Sequence, residues 1–462
     1  MTGGFVDSSS TRVLPPEFDR RYPVIVRGEG SWLEDSSGRR YLDAMSGGSM
    51  AATLGHGRRD LVEAARHQAE RLSFVHNERL TNPAQEQLAR ELVAVAPAGF
   101  ARVKFVTGGA EANETAIKLA RAYHVERGEP SRWQVISIAQ AYHGPTMETL
   151  ALTGRPGLQG SLGPYLPQHL HVPPPTRRLD PSGETTLEAL DRALEQAGPG
   201  NVSIFFMEAI SAAALPAFTP PERFWRGLDE RRRAHGFLVG FDEVVTGMGR
   251  AGNWFAANTT PLVPDLIATA KGLGAGYAAI GAVLCRKEVY DAVADGSRKF
   301  TLGHTWDGAP LSCAVGLKVV DVLRSEGLVD HVRERGAQLR DELADALADV
   351  DLVAEVRGHG YLLGVEHQDP RSGSFLPPEL RTAGRIDDVA LENGLVILST
   401  QPTRDGMAGD QSLFAPPFTT SDDELAEMVS RFATSVRQVA DEVEHELATA
   451  PEPLSVSSGD AQ

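Results

Sequence analysis

Apolar and polar positions change their spacing along the chain, and these changes divide it into segments. Up to about Thr53, short apolar runs such as residues 23–27 alternate with Gly- and Ser-containing turns, which predicts short strands. From about residue 75 to residue 325, apolar runs alternate with helical patterns, which predicts a mostly parallel α/β sheet. After Leu323 the period becomes helical, and strand candidates follow at residues 361–365 and 395–398.

This pattern predicts an α/β fold with a large domain and a smaller one. The predicted segments are an N-terminal segment that joins the small domain (1–74), a large sheet domain (75–325), a small α+β domain (326–450) and a disordered tail (451–462). Strands of the large domain are expected at residues 103–106, 135–138, 202–207, 237–241, 266–269 and 280–284. The Pro- and Gly-rich residues 155–181 predict a long surface excursion.

The composition argues against several kinds of partner. The net charge is −17, whereas nucleic acids and anionic membranes bind basic patches. No stretch reaches the roughly 18 consecutive apolar residues of a membrane helix, and the first residues lack the pattern of a secretory signal. The two cysteines, Cys285 and Cys313, predict neither a disulfide framework nor a metal site. We therefore expect a cytoplasmic protein with no bound metal, no nucleic-acid partner and no membrane partner.

Lysine is scarce, which makes each lysine informative. Of the 45 Lys and Arg side chains, 6 are lysine, and one of these, Lys271, ends an apolar run and precedes a glycine-rich turn. A lysine buried at a strand end has a pKa below the ordinary value of about 10.4, so it can act as a nucleophile and carry a proton. The alternative is a lysine whose amine extends from the strand end into solvent.

Three further features follow predicted strands at their carboxyl ends, where open α/β sheets bind ligands. Gly109 and Ala110 start a helix after the first strand, and such a turn offers backbone N–H groups to an anion. Tyr142 follows the second strand and can stack on a planar ring. Asp242 ends the fourth and suits a metal ligand, a general base or a counter-ion. Taken singly, each also has an ordinary interpretation: a tight connection, an aromatic rim contact, or an acid that caps a turn.

The anion-binding turn, the aromatic ring, the acid and the lysine occur in this order, and longer motifs accompany them. The motifs are residues 241–250 (FDEVVTGMGR), 264–267 (PDLI) leading to Lys271, 304–308 (HTWDG) and 415–418 (APPF). With them the chain resembles the class III aminotransferases from residue 23 to about residue 424. The resemblance implies the cofactor pyridoxal 5'-phosphate and fold type I. In that fold a large, mostly parallel sheet domain is joined by a smaller α+β domain built from both termini.

By this resemblance, the two expected catalytic residues have defined roles. Lys271 forms the Schiff base (internal aldimine) with the cofactor and moves the proton between the substrate carbon and the cofactor. Asp242 keeps the pyridine nitrogen protonated, so that the ring can accept electrons. Gly109 and Ala110 bind the phosphate through their backbone N–H groups.

The resemblance places four more residues around the cofactor. Tyr142 stacks on one face of the ring, and Val244 packs against the other. Glu208 lies near the phenolic edge of the ring. Thr305 reaches the phosphate of the neighbouring subunit, which implies a homodimer with shared active sites, or a tetramer built from such dimers.

Departures from the family pattern narrow the subgroup. Ala110 replaces the usual serine, so phosphate binding depends more on backbone groups. Val245 stands where ornithine-, acetylornithine- and GABA-type members have a glutamine, and Leu413 stands where they have a carboxylate-binding arginine. These two replacements favour the omega-amino acid or amine:pyruvate branch. In that branch a mobile arginine binds a carboxylate, and the candidate is Arg404; its alternative is a solvated loop arginine. Met50 stands where the branch commonly has tryptophan, and it forms either a wider substrate wall or part of the core.

The sequence therefore predicts a PLP-dependent class III aminotransferase. Its partners are a primary amine or omega-amino acid and an oxo acid, for which pyruvate is expected. Within the same family, an aminomutase, a racemase, a decarboxylase and a 2-oxoglutarate-dependent aminotransferase remain alternatives. A protein that binds the cofactor without catalysis is the alternative of another class, and the presence of both Lys271 and Asp242 argues against it.

Overall fold

The N-terminal part of the chain forms short strands, as its turn-rich pattern predicted. The computed structural model describes residues 5–7, 11–400 and 407–449. Strand β1 (Phe5–Asp7) pairs antiparallel with β2 (Arg21–Pro23). An antiparallel meander follows, formed by β3 (Ile25–Glu29), β4 (Trp32–Asp35) and β5 (Arg40–Asp43). Two helices follow, α1 (Arg59–Arg71) and α2 (Pro83–Val95).

Seven strands of the described chain form the central sheet. They are β6 (Phe100–Val106), β7 (Gln134–Ile138), β8 (Leu170–Val172), β9 (Val202–Glu208), β10 (Leu238–Asp242), β11 (Leu266–Thr269) and β12 (Gly281–Arg286). Their spatial order is β6-β12-β11-β10-β9-β7-β8. Strand β12 is antiparallel to both neighbours, and the other pairs are parallel. The predicted mostly parallel sheet is therefore confirmed, with all six expected strands present.

Helices cover both faces of this sheet. They are α3 (Gly109–Glu126), α4 (Met147–Leu152), α5 (Pro156–Gln159), α6 (Glu184–Ala197), α7 (Glu222–His235) and α8 (Lys287–Asp295). Alternate residues of β9 enter two different cores, Phe205 and Met207 on one face and Ile204 and Phe206 on the other. Burial on both faces explains why the central strands are apolar at nearly every position.

The C-terminal part combines helices with a second sheet. Its elements are α9 (Pro310–Ser325), α10 (Leu328–Ala346), β13 (Val353–His359), β14 (Leu362–His367), α11 (Thr382–Glu392), β15 (Leu395–Val396), β16 (Leu398–Thr400), β17 (Gln411–Phe414) and α12 (Asp422–Thr449). Strand β15 pairs in parallel with β5, so the two ends of the chain share a sheet, as the predicted fold requires. The exact domain boundaries stay predictions. In the described ranges, no helix is long and apolar enough to cross a membrane.

Candidate active site

The carboxyl ends of the parallel strands and the start of α3 enclose a cavity of about 350 Å³. The sequence features were expected to meet at this edge, because parallel strands of one sheet end on the same side. Of the residues predicted for the site, the cavity brings together Gly109, Ala110, Tyr142, Glu208, Asp242, Val244 and Lys271.

Asp242, the last residue of β10, is buried and held by three hydrogen bonds. Its Oδ2 accepts from Asn113 Nδ2 at 2.7 Å and from His143 Nδ1 at 2.8 Å. Its Oδ1 accepts from the backbone N–H of Val244 at 2.9 Å. These charge-assisted bonds fix the orientation of the carboxylate. Because a carboxylate oxygen has two lone pairs, Oδ1 can accept one more hydrogen bond.

Asn113 and His143 form a support for Asp242 that sequence reasoning missed. Asn113 lies one turn into α3, and its Nδ2 also donates to the carbonyl oxygen of His143 at 2.8 Å. One amide therefore joins α3, the loop after β7 and the end of β10. The available signal was an asparagine within the apolar stripe of α3, since a buried amide requires hydrogen-bond partners.

Lys271 follows β11 and begins a single 3-10 turn, Lys271–Leu273. Its φ of 32° lies in a region that residues other than glycine rarely adopt, and such strained positions cluster at functional sites. Burial lowers the pKa of its amine, while the charges of Asp242 and Glu208 act in the opposite direction. The net effect is a larger neutral, nucleophilic fraction of the amine at a given pH.

Glu208 ends β9 beside the same cavity. Its Oε1 accepts from the backbone N–H of Ala212 at 3.0 Å, and its Oε2 accepts from Ser211 Oγ at 3.2 Å. Burial raises the pKa of this carboxyl to about 7, against the opposing influence of His143. A carboxyl with such a pKa is substantially protonated near neutral pH, so it can also donate a hydrogen bond.

The N-terminus of α3 forms one wall of the cavity. The first N–H groups of a helix have no partner within the helix and attract anions. A Cβ on Gly109 would lie 2.8 Å from Cγ1 of Val244, so glycine allows the turn to approach the loop after β10. The predicted anion-binding turn and the predicted ring-packing valine are therefore in direct contact.

Three predicted residues are not among those that line this cavity. Thr305 is exposed, in a turn where Asp307 forms a 2.7 Å ion pair with Lys104. Met50 is 1% exposed and packs in the main core, which favours the core methionine; its place in a substrate wall stays a prediction. Arg404 lies outside the described residues.

No arginine lines the cavity among the residues that the structure describes. Leu413 is 1% exposed in β17, and Val245 presents an apolar side chain to the cavity. Arg250 is fully buried, and its guanidinium donates to the carbonyl oxygens of Tyr361 and Pro416. A substrate carboxylate in this cavity would therefore need a cation from elsewhere.

The chemistry of the lining residues fits a phosphorylated pyridine aldehyde. The cavity combines an amine whose pKa is lowered by burial, a fixed carboxylate with remaining acceptor capacity and a helix N-terminus. Nowhere in residues 5–7, 11–400 and 407–449 do three or more His, Cys, Asp or Glu side chains form a group that could hold a metal ion.

Comparisons with known proteins agree over most of the chain. The family described as Aminotransferase class-III matches residues 15–436. Uncharacterized aminotransferase YodT from Bacillus subtilis is 33% identical, covering 93% of this chain and 98% of the relative. Diaminobutyrate–2-oxoglutarate transaminase from Halomonas elongata is 30% identical, with 92% of each chain covered. The omega transaminase structure from Pseudomonas jessenii in complex with PMP is 30% identical with a TM-score of 0.85, covering 92% and 94%. The chain therefore belongs to the class III aminotransferases, enzymes of the PLP fold type I.

Proposed function

We propose that the chain catalyses pyridoxal-phosphate-dependent transamination between a primary amine or omega-amino acid and an oxo acid, with pyruvate as the preferred acceptor. The observation that carries the proposal is that Lys271 and Asp242 line one cavity at the start of α3. The PMP bound by the relative from Pseudomonas jessenii supports the class of cofactor.

The lining residues would hold the cofactor at each of its functional groups. Lys271 Nζ would bind the aldehyde carbon covalently, and Oδ1 of Asp242 would accept a hydrogen bond from the protonated ring nitrogen. Gly109 and Ala110 would donate backbone N–H groups to the phosphate, where the dipole of α3 is favourable. When bound, the cofactor supplies an electron sink for charge that develops on the substrate carbon.

The remaining residues would position the ring and move a proton. Tyr142, 39% exposed, and Val244 would cover opposite faces of the ring. Glu208 would hydrogen-bond at the phenolic edge, for which its pKa of about 7 allows either protonation state. The lowered pKa of Lys271 would let its neutral amine accept the proton that leaves the substrate carbon.

The lack of arginines in the described lining of the cavity supports the assignment to the amine:pyruvate branch. A dicarboxylate such as 2-oxoglutarate needs two cationic partners, because a desolvated carboxylate without one is strongly disfavoured. Leu413 offers no donor at the position of the family's arginine, and no arginine appears among the described lining residues. Pyruvate has one carboxylate and needs one cation, for which we propose Arg404.

We also propose a homodimer in which Thr305 completes the phosphate site of the neighbouring subunit. The exposed turn of Thr305 is anchored by the ion pair between Lys104 and Asp307. Beside it, Leu302 and Trp306 are 52% and 57% exposed. Large exposed apolar side chains next to a positioned polar residue are typical of a protein interface.

The replacement of Lys271 tests the proposed chemistry. Lys271→Ala should keep phosphate-dependent cofactor binding but lose transamination and the visible absorbance of the lysine-bound cofactor, because alanine has no amine. Borohydride reduction of the parent, followed by peptide mapping, should label the peptide that contains Lys271. A label on Lys104 or Lys287, or transamination by the Lys271→Ala protein, would refute the assignment.

A further inference from the structure

A second cavity, of about 420 Å³, lies where α10 meets the loops of the central sheet, and it shares no lining residue with the active-site cavity. One wall is a face of α10 that carries Arg333, Ala337 and Arg340, at helical spacings that place them side by side. The opposite wall comes from the loop after β9, from α7 and from residues 251–261. The small side chain of Ala337 leaves room between the two arginines.

The ionisable side chains around this second cavity are all basic. Arg333, Arg340 and His359 line it, and within the described chain no aspartate or glutamate does so. Burial lowers the pKa of His359, and the charge of Arg340 lowers it further, which indicates that the two groups are neighbours. In a protein with a net charge of −17, a cavity whose lining has basic but no acidic side chains among the described residues is a specific feature.

The opposite wall supplies polar groups. Thr219 lines the cavity, and its Oγ1 is buried without a hydrogen-bond partner among the described residues. Asn253 adds a side-chain amide on the same side. The wall opposite the arginines is therefore partly polar.

The present partners of the two arginines leave both available to a ligand. Arg333 pairs with Asp330 at 2.6 Å and with Glu334 at 3.9 Å, and Arg340 pairs with Asp341 at 2.9 Å; these acids are 69%, 74% and 67% exposed. All three acids belong to α10 itself. Ion pairs between exposed side chains contribute little to stability, so the guanidinium groups can exchange them for an anion in the cavity.

We infer that this cavity binds a small, multiply charged oxyanion of the phosphate or phosphate-ester class. A guanidinium matches phosphate oxygens with paired N–H donors, and the two arginines would contact different oxygens. The walls approach closely beside the site, since a Cβ on Gly252 would lie 2.8 Å from the Cα of Arg333. Because the ligand would touch both walls, its binding would stabilise their contact.

The test uses the full chain, saturated with pyridoxal phosphate and then freed of excess cofactor. Calorimetric titrations at constant ionic strength use inorganic phosphate, pyrophosphate and ribose 5-phosphate, and thermal unfolding is followed in parallel. Saturable binding and a higher Tm are expected with at least one anion. The double variant Arg333→Gln/Arg340→Gln should bind roughly tenfold more weakly per arginine, as for loss of a charge-assisted hydrogen bond. Ala337→Glu should abolish binding, because it places a carboxylate between the arginines.

The matched control is Arg66→Gln, which removes an arginine of α1 that is 49% exposed, like Arg333, and also pairs with acids of its own helix. It should bind the anions like the parent, and every variant should retain the visible absorbance of the bound cofactor. Tight binding of the ester alone identifies an organic phosphate as the ligand, and tight binding of the inorganic anions identifies free phosphate. The inference fails if no anion binds saturably, if the double variant binds like the parent, or if Arg66→Gln loses as much affinity.

Discussion

At the scale of single residues, the adjacent acids Asp242 and Glu243 form hydrogen bonds with different parts of the structure. Asp242 bonds to Asn113 and His143 beside the cavity. Glu243 is fully buried, and it accepts hydrogen bonds from the backbone N–H groups of Ala256 and Ala257 instead. Two adjacent carboxyl groups thus serve the site and the fold, respectively.

This difference gives a matched pair of variants. Asp242→Asn keeps the shape of the side chain but removes its charge, which is worth roughly 1.5–3 kcal/mol in a charge-assisted hydrogen bond, or about ten- to 150-fold in kcat/KM. Steady-state kinetics with saturating cofactor measure the loss. Glu243→Gln should lower Tm while kcat changes little. Activity of Asp242→Asn within about twofold of the parent would exclude the proposed role.

Glu208 provides a prediction of pH dependence. Burial raises its pKa from 4.5 to about 7, so the folded protein binds this proton more tightly than the unfolded chain does. Protonated Glu208 therefore stabilises the folded protein. Its contribution to the free energy of unfolding is fully present below about pH 4.5 and is lost as the pH rises through about 7, and it amounts to up to about 3 kcal/mol. Urea unfolding of the cofactor-free protein across this range should show a shallower pH dependence for Glu208→Gln. The exposed Glu188→Gln should follow the parent, and equal slopes for all three proteins would contradict the prediction.

Single residues also show what sequence reasoning could reach. Lys271 and Asp242 were identified because their chemistry admits few substitutes and because each ends an apolar run. Asn113 and His143 were missed as supports of Asp242, because their role exists only where α3, β7 and β10 converge. The local sequence can indicate that Asn113 is buried, but it does not indicate that these distant segments meet there.

At the scale of elements, long buried strands were predictable, whereas strand direction and short strands were not. Strands β10 and β11 are buried at every position and were located within a residue or two. Strand β12 is also mostly apolar and buried. Because burial on both faces determines this pattern, the pattern does not indicate that β12 runs antiparallel to its neighbours. Strand β8 has three residues inside the Pro-rich stretch 155–181, too few for a recognisable run.

The contact between α3 and the loop after β10 is testable at this scale. Gly109→Ala would place a Cβ 2.8 Å from Val244 Cγ1, which forces the helix start or the loop to move. We expect a loss of roughly 1–3 kcal/mol in stability, as for overpacking, together with weaker binding of pyridoxal phosphate. Thermal unfolding and cofactor titration measure the two effects. Gly157→Ala is the control, since a Cβ there meets nothing within 4 Å and Gly157 does not line the cavity.

A second substitution makes the same prediction sharper. Val244→Ala removes both Cγ atoms that a new Cβ at position 109 would meet. The double variant Gly109→Ala/Val244→Ala should therefore recover part of the affinity that Gly109→Ala loses. If the two losses simply add, the contact between these residues is not the cause.

At the scale of the whole molecule, Arg250 joins segments that are far apart in sequence. Its guanidinium donates to Ser46 Oγ and to the carbonyl oxygens of Tyr361 and Pro416, and it lies 4.7 Å from the centre of the Phe418 ring. Burial lowers the pKa of this guanidinium to about 9. A group that satisfies three buried acceptors at once cannot turn toward a substrate without leaving them unpaired. Arg250 is therefore structural, and we expect the carboxylate partner from another part of the protein.

The segment between β16 and β17 is the source we expect, because its sequence includes Arg404 and leads into the strand of Leu413. Since Leu413 cannot bind a second carboxylate, kcat/KM for pyruvate should exceed that for 2-oxoglutarate by at least about tenfold, or roughly 1.4 kcal/mol of transition-state binding. Arg404→Ala should weaken turnover with pyruvate and spare the half-reaction with amines that lack a carboxylate. Arg381→Ala, which removes an arginine at the start of α11 that does not line the cavity, is the control. Equal use of the two acceptors by the parent would mean that another cation, from this chain or from a neighbouring subunit, binds the second carboxylate, and the assignment to the amine:pyruvate branch would be wrong.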